Sequence, residues 1–378
     1  VEHEIFSNFV TAKIIKEVLA MKKIVTLAVA ACLIFQSSVL ACSNFILKAK
    51  DNTVVNGRSM EFPVDMKSEI VIVPAGTNVS NRDGKGNPGL SFATKYGFLG
   101  INAFDIKDAF VDGFNEKGLS FSGLMYTGAE YQPEIPGKFI NLENFTTWVL
   151  GSFSSVDEVK AAMANVYVSR SYIKKLKDMG LHVAIADAAG KSIVIEFIDG
   201  KTNIYDNPMG VMTNRPSFDW QMTNMKNYIH LDHNDKKPKN VNGVKIEPTG
   251  VGSGMLGLPG DWTPPSRFVR LAVAKNAALE PKNAEEAINL SEHLLNIVDI
   301  PKGVIKENPA PFITMYGYAQ WVITKDMTNK VLYFKTYDNT AWKSVDLKKF
   351  DLKPGAARKH MSIDATRTGI VDASGMLK

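Results

Sequence analysis

Cys42-Ser43-Asn44-Phe45-Ile46-Leu47-Lys48-Ala49, the turn Lys50-Asp51-Asn52 and the return Thr53-Val54-Val55-Asn56-Gly57-Arg58-Ser59-Met60-Glu61 decide the fold. Ser43 to Ala49 puts Phe45 and Leu47 on one side and Ile46 on the other, and the polar triplet after it has turn chemistry. Thr53 to Arg58 reads as the returning strand. A hairpin of this kind carries Arg58 back to the end of the sheet at which Cys42 begins.

Upstream of the hairpin, Met21-Lys22-Lys23 is positive, Ile24 to Phe35 is mostly apolar, and Ser37-Ser38-Val39-Leu40-Ala41 is built largely of small residues. This is the layout of an export signal over residues 21–41, too short to stay in a bilayer as a span. Cleavage after Ala41 would leave Cys42 with a free thiol and a free α-amine. A nucleophile and its own base would then sit on one residue, which is the requirement for amide cleavage. Residues 1–20 precede a complete signal and read as an upstream extension without a role.

The chain has 378 residues, a formal charge of +5 and two cysteines. Its basic residues are dispersed, in short patches such as Lys236-Lys237-Pro238-Lys239, and nothing resembles a nucleic-acid stripe. Cys32 lies in the signal core, which leaves Cys42 as the lone thiol of the exported chain. A lone thiol in an oxidising compartment is either buried or used.

Downstream, Ile70 to Val73, Gly97 to Phe104 and Leu119 to Tyr126 read as strands, and Thr77 to Gly89 as a surface loop. Leu142, Phe145, Val149 and Phe153 recur at helical spacing, and Ser155 with Glu158 caps the next helix. Leu181 to Ala186 and Ser192 to Ile198 form a hairpin that is apolar on both faces, which calls for covering layers on both sides. Phe218 to Tyr228 reads as a helix, and Leu231 to Gly252 as loop. Thr263 and Pro264 open a helix with Phe268, Leu271, Ala272 and Leu279 on one side, Lys275 interrupting that stripe with its charge in water. Asn283 with Glu286 opens another helix. Gln320 to Thr324 and Lys330 to Tyr337 are late strands, and the tail beyond Lys353 is loose. Strands in adjacent pairs and the absence of a linker indicate one α/β domain over residues 42–378, with antiparallel sheets under helices rather than a doubly wound sheet.

No Gly-x-Gly-x-x-Gly follows a strand read from the sequence, and Walker and His-Glu-x-x-His patterns are absent. His230 and His233 sit beside Asp232 and Asp235 at the start of a polar loop, a pattern ascribed to loop solvation rather than to a metal. No cofactor is expected.

Cys42-Ser43-Asn44-Phe45 with Gly57-Arg58-Ser59-Met60-Glu61 resembles the start of the choloylglycine hydrolase family, which includes bile salt hydrolases and penicillin V acylases. The resemblance continues through Glu116-Lys117-Gly118-Leu119, Gly123-Leu124-Met125-Tyr126, Asp206-Asn207-Pro208, Val211 to Asn214, and Gly257-Leu258-Pro259-Gly260-Asp261 leading to Ser266-Arg267-Phe268. It implies the four-layer αββα fold of the N-terminal nucleophile hydrolases and cleavage of a linear carbon–nitrogen amide. It implies Cys42 as nucleophile, with Arg58, Asn214 and Arg267 as active-site residues. Glu61 stands where the family usually has aspartate, and Met125 where many bile salt hydrolases have asparagine. Met60, Phe62, Met125 and Tyr126 are the candidates for lining the acyl pocket.

The expected substrate is a small-molecule amide, with penicillin V or an N-acyl homoserine lactone preferred because position 125 lacks asparagine, and a conjugated bile salt as the alternative. The resemblance also suggests a homotetramer, and the signal suggests a periplasmic or secreted bacterial protein without stable membrane insertion. A rival reading uses the same stretch. Val39-Leu40-Ala41-Cys42 partly resembles a lipoprotein processing site, at which lipid on sulfur and acyl on nitrogen would abolish both reactive groups and leave a membrane-anchored binding or structural protein.

Overall fold

In the computed structural model, the described residues are 41–310, 312–364 and 374. The upstream extension, the signal core and Cys32 lie outside them, and of the proposed signal only Ala41 is described.

The leading hairpin forms with β1 (Cys42–Lys48) and β2 (Val54–Phe62). Their antiparallel register sets Cys42 opposite Met60 and Asn44 opposite Arg58. Asn52 takes the left-handed conformation that the tight turn requires, a position asparagine tolerates. Successive strand residues face opposite sides, so Arg58, Met60 and Phe62 share one face and Ser59 and Glu61 the other.

Two antiparallel sheets face each other. The first, of seven strands, runs Val211–Met212, β1, β2, Ile313–Asp326, Val331–Thr336, Lys343–Asp346, with Ile305–Ala310 paired beside Ile313–Asp326. The second, of eight strands, runs Lys201–Asp206, Ser192–Ile198, Leu181–Ala186, Ser120–Met125, Ile106–Asn115, Phe98–Ala103, β3 (Glu69–Val73) and Lys359–Ser362. Helices Pro264–Ala277 and Ala284–Asn296 cover the first sheet, and helix Leu142–Ser152 covers the second. The result is the αββα sandwich, with one apolar core around β1, β2 and the two long helices and another under helix Leu142–Ser152.

Capping follows the sequence. Ser155 accepts from Glu158 N at 3.3 Å and Asn283 from Glu286 N at 3.1 Å, each satisfying an orphan donor. Thr263 occupies the N-cap position without that bond, and its hydroxyl donates to Asp261 at 2.6 Å. Helix Phe218–Asn224 tightens into a 3₁₀ turn over Met225–Tyr228.

Several expectations are corrected. Thr77 to Gly89 is not all loop, since Asn78–Arg82 pairs with Pro88–Ala93. Within Leu231 to Gly252, Lys239–Val241 and Val244–Ile246 make a short exposed hairpin. Lys359–Ser362 is no loose tail, because it pairs with β3 and closes that sheet edge. Leu279 lies past its helix and is exposed. Lys275 does not place its charge in water: its ammonium donates to Met209 O at 2.7 Å, and burial lowers its pKa to about 8.

Candidate active site

Cys42 opens β1 and is fully buried with Ala41 attached, so its nitrogen is an amide here. Two arginines address its two ends. Arg58 Nη2 lies 3.4 Å from Cys42 Sγ and donates to Gly123 O at 2.9 Å, while Nη1 donates to Ser59 O. Trp321 stacks under the guanidinium at 5.8 Å. On the helix side, Arg267 Nη1 donates to Cys42 O at 2.6 Å and to Ser43 Oγ at 2.7 Å, and its Nε donates to Trp262 O at 2.9 Å.

Asn214 follows the short strand Val211–Met212, which pairs with β1 and so carries it to Cys42. Its Oδ1 accepts from Cys42 N at 2.5 Å and from Arg267 Nη2 at 3.0 Å. Its Nδ2 donates to Met125 O at 2.8 Å. An amide nitrogen has two hydrogens, so one is left to meet a developing oxyanion.

Electrostatics at the site are set by burial. Desolvation alone would weaken the Arg58 cation, yet Cys42, Asp112 and Glu61 together hold its pKa above the ordinary value. Arg267 is lowered by burial, with Glu61 the main opposing charge. Both arginines are wholly buried, so their charges act on the sulfur and the backbone with little screening by water.

Glu61 stands apart from the sulfur. Its backbone N donates to Ala41 O at 3.1 Å, but its carboxylate lies on the helix-facing side of β2 and both oxygens lack a hydrogen-bond partner. Burial raises its pKa from 4.5 to about 7 against the pull of Arg267. The folded chain thus binds more protons than the unfolded chain between those values. Stability from this group is complete below about pH 4.5 and is lost as pH rises through 7, on the order of 3 kcal/mol in all. Glu61→Gln, with Ala41 in place, should match the parent chain in urea midpoint at pH 4 and exceed it at pH 8. Equal midpoints at both pH values would refute the buried-carboxyl account.

The pocket candidates divide. Met60 Sδ is 4.0 Å from Cys42 Sγ. Phe62, two residues of strand or about 7 Å further along the same face, stacks edge-on with Phe104 at 5.5 Å and lines a cleft of about 630 Å³. That cleft also has Pro63, Val64 and Met315 as apolar walls, and its charged residues balance, Lys67, Lys174 and Lys175 against Asp65, Asp105 and Asp178. Met125 reaches the site through its carbonyl. Tyr126 turns away and packs on His182 at 4.9 Å, with Arg215 over its ring at 5.9 Å.

Four contributors escape the sequence reading: Ser43, Trp262, Asp112 and Lys325. Asp112 did leave a trace, a charge inside the otherwise apolar run Ala109 to Phe114, while Lys325 directly follows the run Trp321 to Thr324 and reads as its polar end. Ser43 stands in the opening motif without a role of its own, and Trp262, which offers a main-chain carbonyl, left no trace.

The profile of "Linear amide C-N hydrolases, choloylglycine hydrolase family" matches residues 42–367. A bile salt hydrolase/transferase of Clostridium perfringens is 34% identical over 321 residues, 82% of this chain and 94% of that protein. Another from Lactiplantibacillus plantarum is 36% identical over 258 residues, 67% of this chain and 78% of that protein. A penicillin V acylase of Pectobacterium atrosepticum is 26% identical over 350 residues, 85% of each chain. Among solved structures, a variant of the Clostridium perfringens conjugated bile acid hydrolase superposes with a TM-score of 0.76 at 32% identity, over 87% of this chain and 99% of that one.

Proposed function

We propose, from the premise that the chain belongs to the choloylglycine hydrolase family of linear amide C–N hydrolases, that Cys42 becomes its nucleophile once residues 1–41 are removed on export. The observation that supports this most is the separate tethering of one residue's two ends, nitrogen to Asn214 and sulfur to Arg58. With the nitrogen free, an α-amine of pKa about 7.7–8.0 takes the proton of a thiol of pKa about 8.5 at little cost. Arg58 favours the thiolate, which attacks the amide carbonyl. Charge on that oxygen is met by the remaining Asn214 Nδ2 hydrogen, a type of donor whose loss costs about 3–4 kcal/mol in the transition state. The α-ammonium returns its proton to the departing amine, leaving a thioester on Sγ. A water that gives its proton to the α-amine then attacks the thioester, releasing the carboxylic acid and restoring the thiol.

The acyl group we assign is the steroid of a conjugated bile salt. A cleft of about 630 Å³ that starts one turn of pleat beyond Met60 is far larger than a phenoxyacetyl group requires. Its charged rim, Lys67, Lys174 and Lys175 against Asp65, Asp105 and Asp178, with apolar walls between, suits an amphipathic substrate. The relatives at 34% and 36% identity carry bile salt hydrolase names. Penicillin V is the second reading, favoured by Met125, whose side chain lacks the donor of an asparagine.

Intact mass of the purified protein tests the first step. A chain beginning at unmodified Cys42 is expected; an active protein that keeps residues 1–41, or carries lipid on Cys42, ends the mechanism. Rates on glycocholate, penicillin V and an N-acyl homoserine lactone test the second. Glycocholate is expected to lead by about tenfold or more in kcat/KM, and Phe104→Ala to raise its KM by about three- to tenfold with kcat nearly kept. A lead for penicillin V would retain the hydrolase and remove the steroid.

Assembly belongs to the same reading. The exposed excursion with Ile229, Val251 and Leu256, and the hairpin residues Val241, Val244 and Ile246, offers apolar surface for further copies of the chain. A homotetramer is expected by light scattering, and a monomer would contradict it.

A further inference from the structure

Behind Arg58 lies a buried ionic row that the reaction as described does not use. Asp112 Oδ2 is 3.4 Å from Arg58 Nε, and Asp112 Oδ1 is 2.5 Å from Lys325 Nζ. Lys325 also donates to Ser122 Oγ at 2.9 Å, and Ser122 Oγ accepts from Asn44 Nδ2 at 3.0 Å. Arg58, Asp112 and Lys325 are all fully buried. Asn44, Arg58 and Lys325 belong to the first sheet, Asp112 and Ser122 to the second, so the row crosses the interface between the sheets.

Placing two cations and a carboxylate where apolar side chains would pack carries a desolvation penalty, and such clusters seldom add net stability. Signs alternate along the row: Lys325 ammonium, Asp112 carboxylate, Arg58 guanidinium, Cys42 sulfur. Without Lys325, the whole negative charge of Asp112 would fall on Arg58 and oppose a second negative charge at the sulfur. With it, one carboxylate oxygen is engaged, and the geometry between Asp112 Oδ2 and Arg58 Nε falls short of a hydrogen bond. The guanidinium edge is then free to serve Gly123 O and Cys42 Sγ.

We propose that Lys325 is a positioning residue: by neutralising Asp112 it keeps the charge and the Nη2 edge of Arg58 available to the Cys42 sulfur. This rests on Cys42 being the nucleophile. The other charges facing this centre are Arg267 and Glu61 on the helix side. Burial also lowers the Lys325 pKa to about 8, so the ammonium is present at neutral pH and is lost only in alkaline solution.

The test is ultraviolet thiolate absorbance against pH on the purified protein, read as the difference from Cys42→Ser, with kcat and KM alongside. Lys325→Met is expected to raise the midpoint of thiolate formation by about one pH unit, with about tenfold less thiolate below it. The kcat should fall in proportion while KM stays within about twofold. Lys325→Arg, bulkier in a fully buried place yet charged, should restore the midpoint, whereas a packing role makes it no better than methionine. Where Lys325→Met does not fold, Lys325→Gln keeps a donor for Asp112 and Ser122 without the charge, and the same shift is expected. A folded neutral variant with the parent midpoint, or an arginine variant no better than the neutral one, overturns the proposal. Full activity in Cys42→Ser would instead sink the proposed reaction, and with it the purpose assigned to Lys325, whereas the thiolate difference spectrum reports the effect of Lys325 on the Cys42 sulfur separately.

Discussion

Cys42→Ser is expected to lower kcat by about a thousandfold or more with the fold intact. Sulfur and oxygen differ little in size beside Met60 and Arg58, so packing changes slightly, by about 1 kcal/mol or less. The chemistry changes far more. An α-amine with a pKa near 8 can take the proton of a thiol, but a serine hydroxyl holds its proton much more tightly, and Arg58 at 3.4 Å would face a neutral group in place of a thiolate. Initial rates on glycocholate and penicillin V, together with urea midpoints, check this. A folded serine variant keeping a tenth of the parent rate would show that Cys42 is not the nucleophile.

Arg267→Met should have the largest effect on stability, a loss of about 3–5 kcal/mol. Arg267 is fully buried and donates to Trp262 O, Cys42 O, Ser43 Oγ and Asn214 Oδ1. Methionine fills much of the volume but leaves those acceptors short of a partner, and it removes the main cation that offsets the burial of Glu61. Asn214 would also lose one of the two donors that fix its amide plane, so activity should fall with stability. Urea unfolding at pH 7 measures the first, and rates on the folded fraction measure the second. A destabilisation under about 1 kcal/mol would mean that water replaces the guanidinium at no great loss.

The two effects differ in kind because the residues act differently. In the proposed reaction Cys42 makes the bond, and its replacement by serine is expected to leave the scaffold in place. Arg267 joins the helix Pro264–Ala277 to the start of β1, so the scaffold and the site fail together.

Local chemistry determined much of this protein from sequence alone. Alternation on both sides of Lys50-Asp51-Asn52 sufficed for the leading hairpin, because side-chain period and turn propensity act within a few residues. The caps at Ser155 and Asn283 were equally legible, being three-residue hydrogen bonds. The family motifs brought Cys42, Arg58, Asn214 and Arg267 into view, and the structure gathers these four within hydrogen-bonding distance.

Tertiary structure alone decided which groups stand behind those motifs. Asp112 and Lys325 are 213 residues apart in the chain and meet only where two sheets face each other. The pairing of Lys359–Ser362 with β3 likewise depends on an open sheet edge that the tail's own polar residues do not announce. Glu61 had a carboxylate in its sequence from the start, but its proton affinity follows from burial on the helix side of β2, a property of everything packed around it. Short-range preferences are written in consecutive residues; desolvation and charge coupling belong to the assembled core, since both depend on how much water has been excluded.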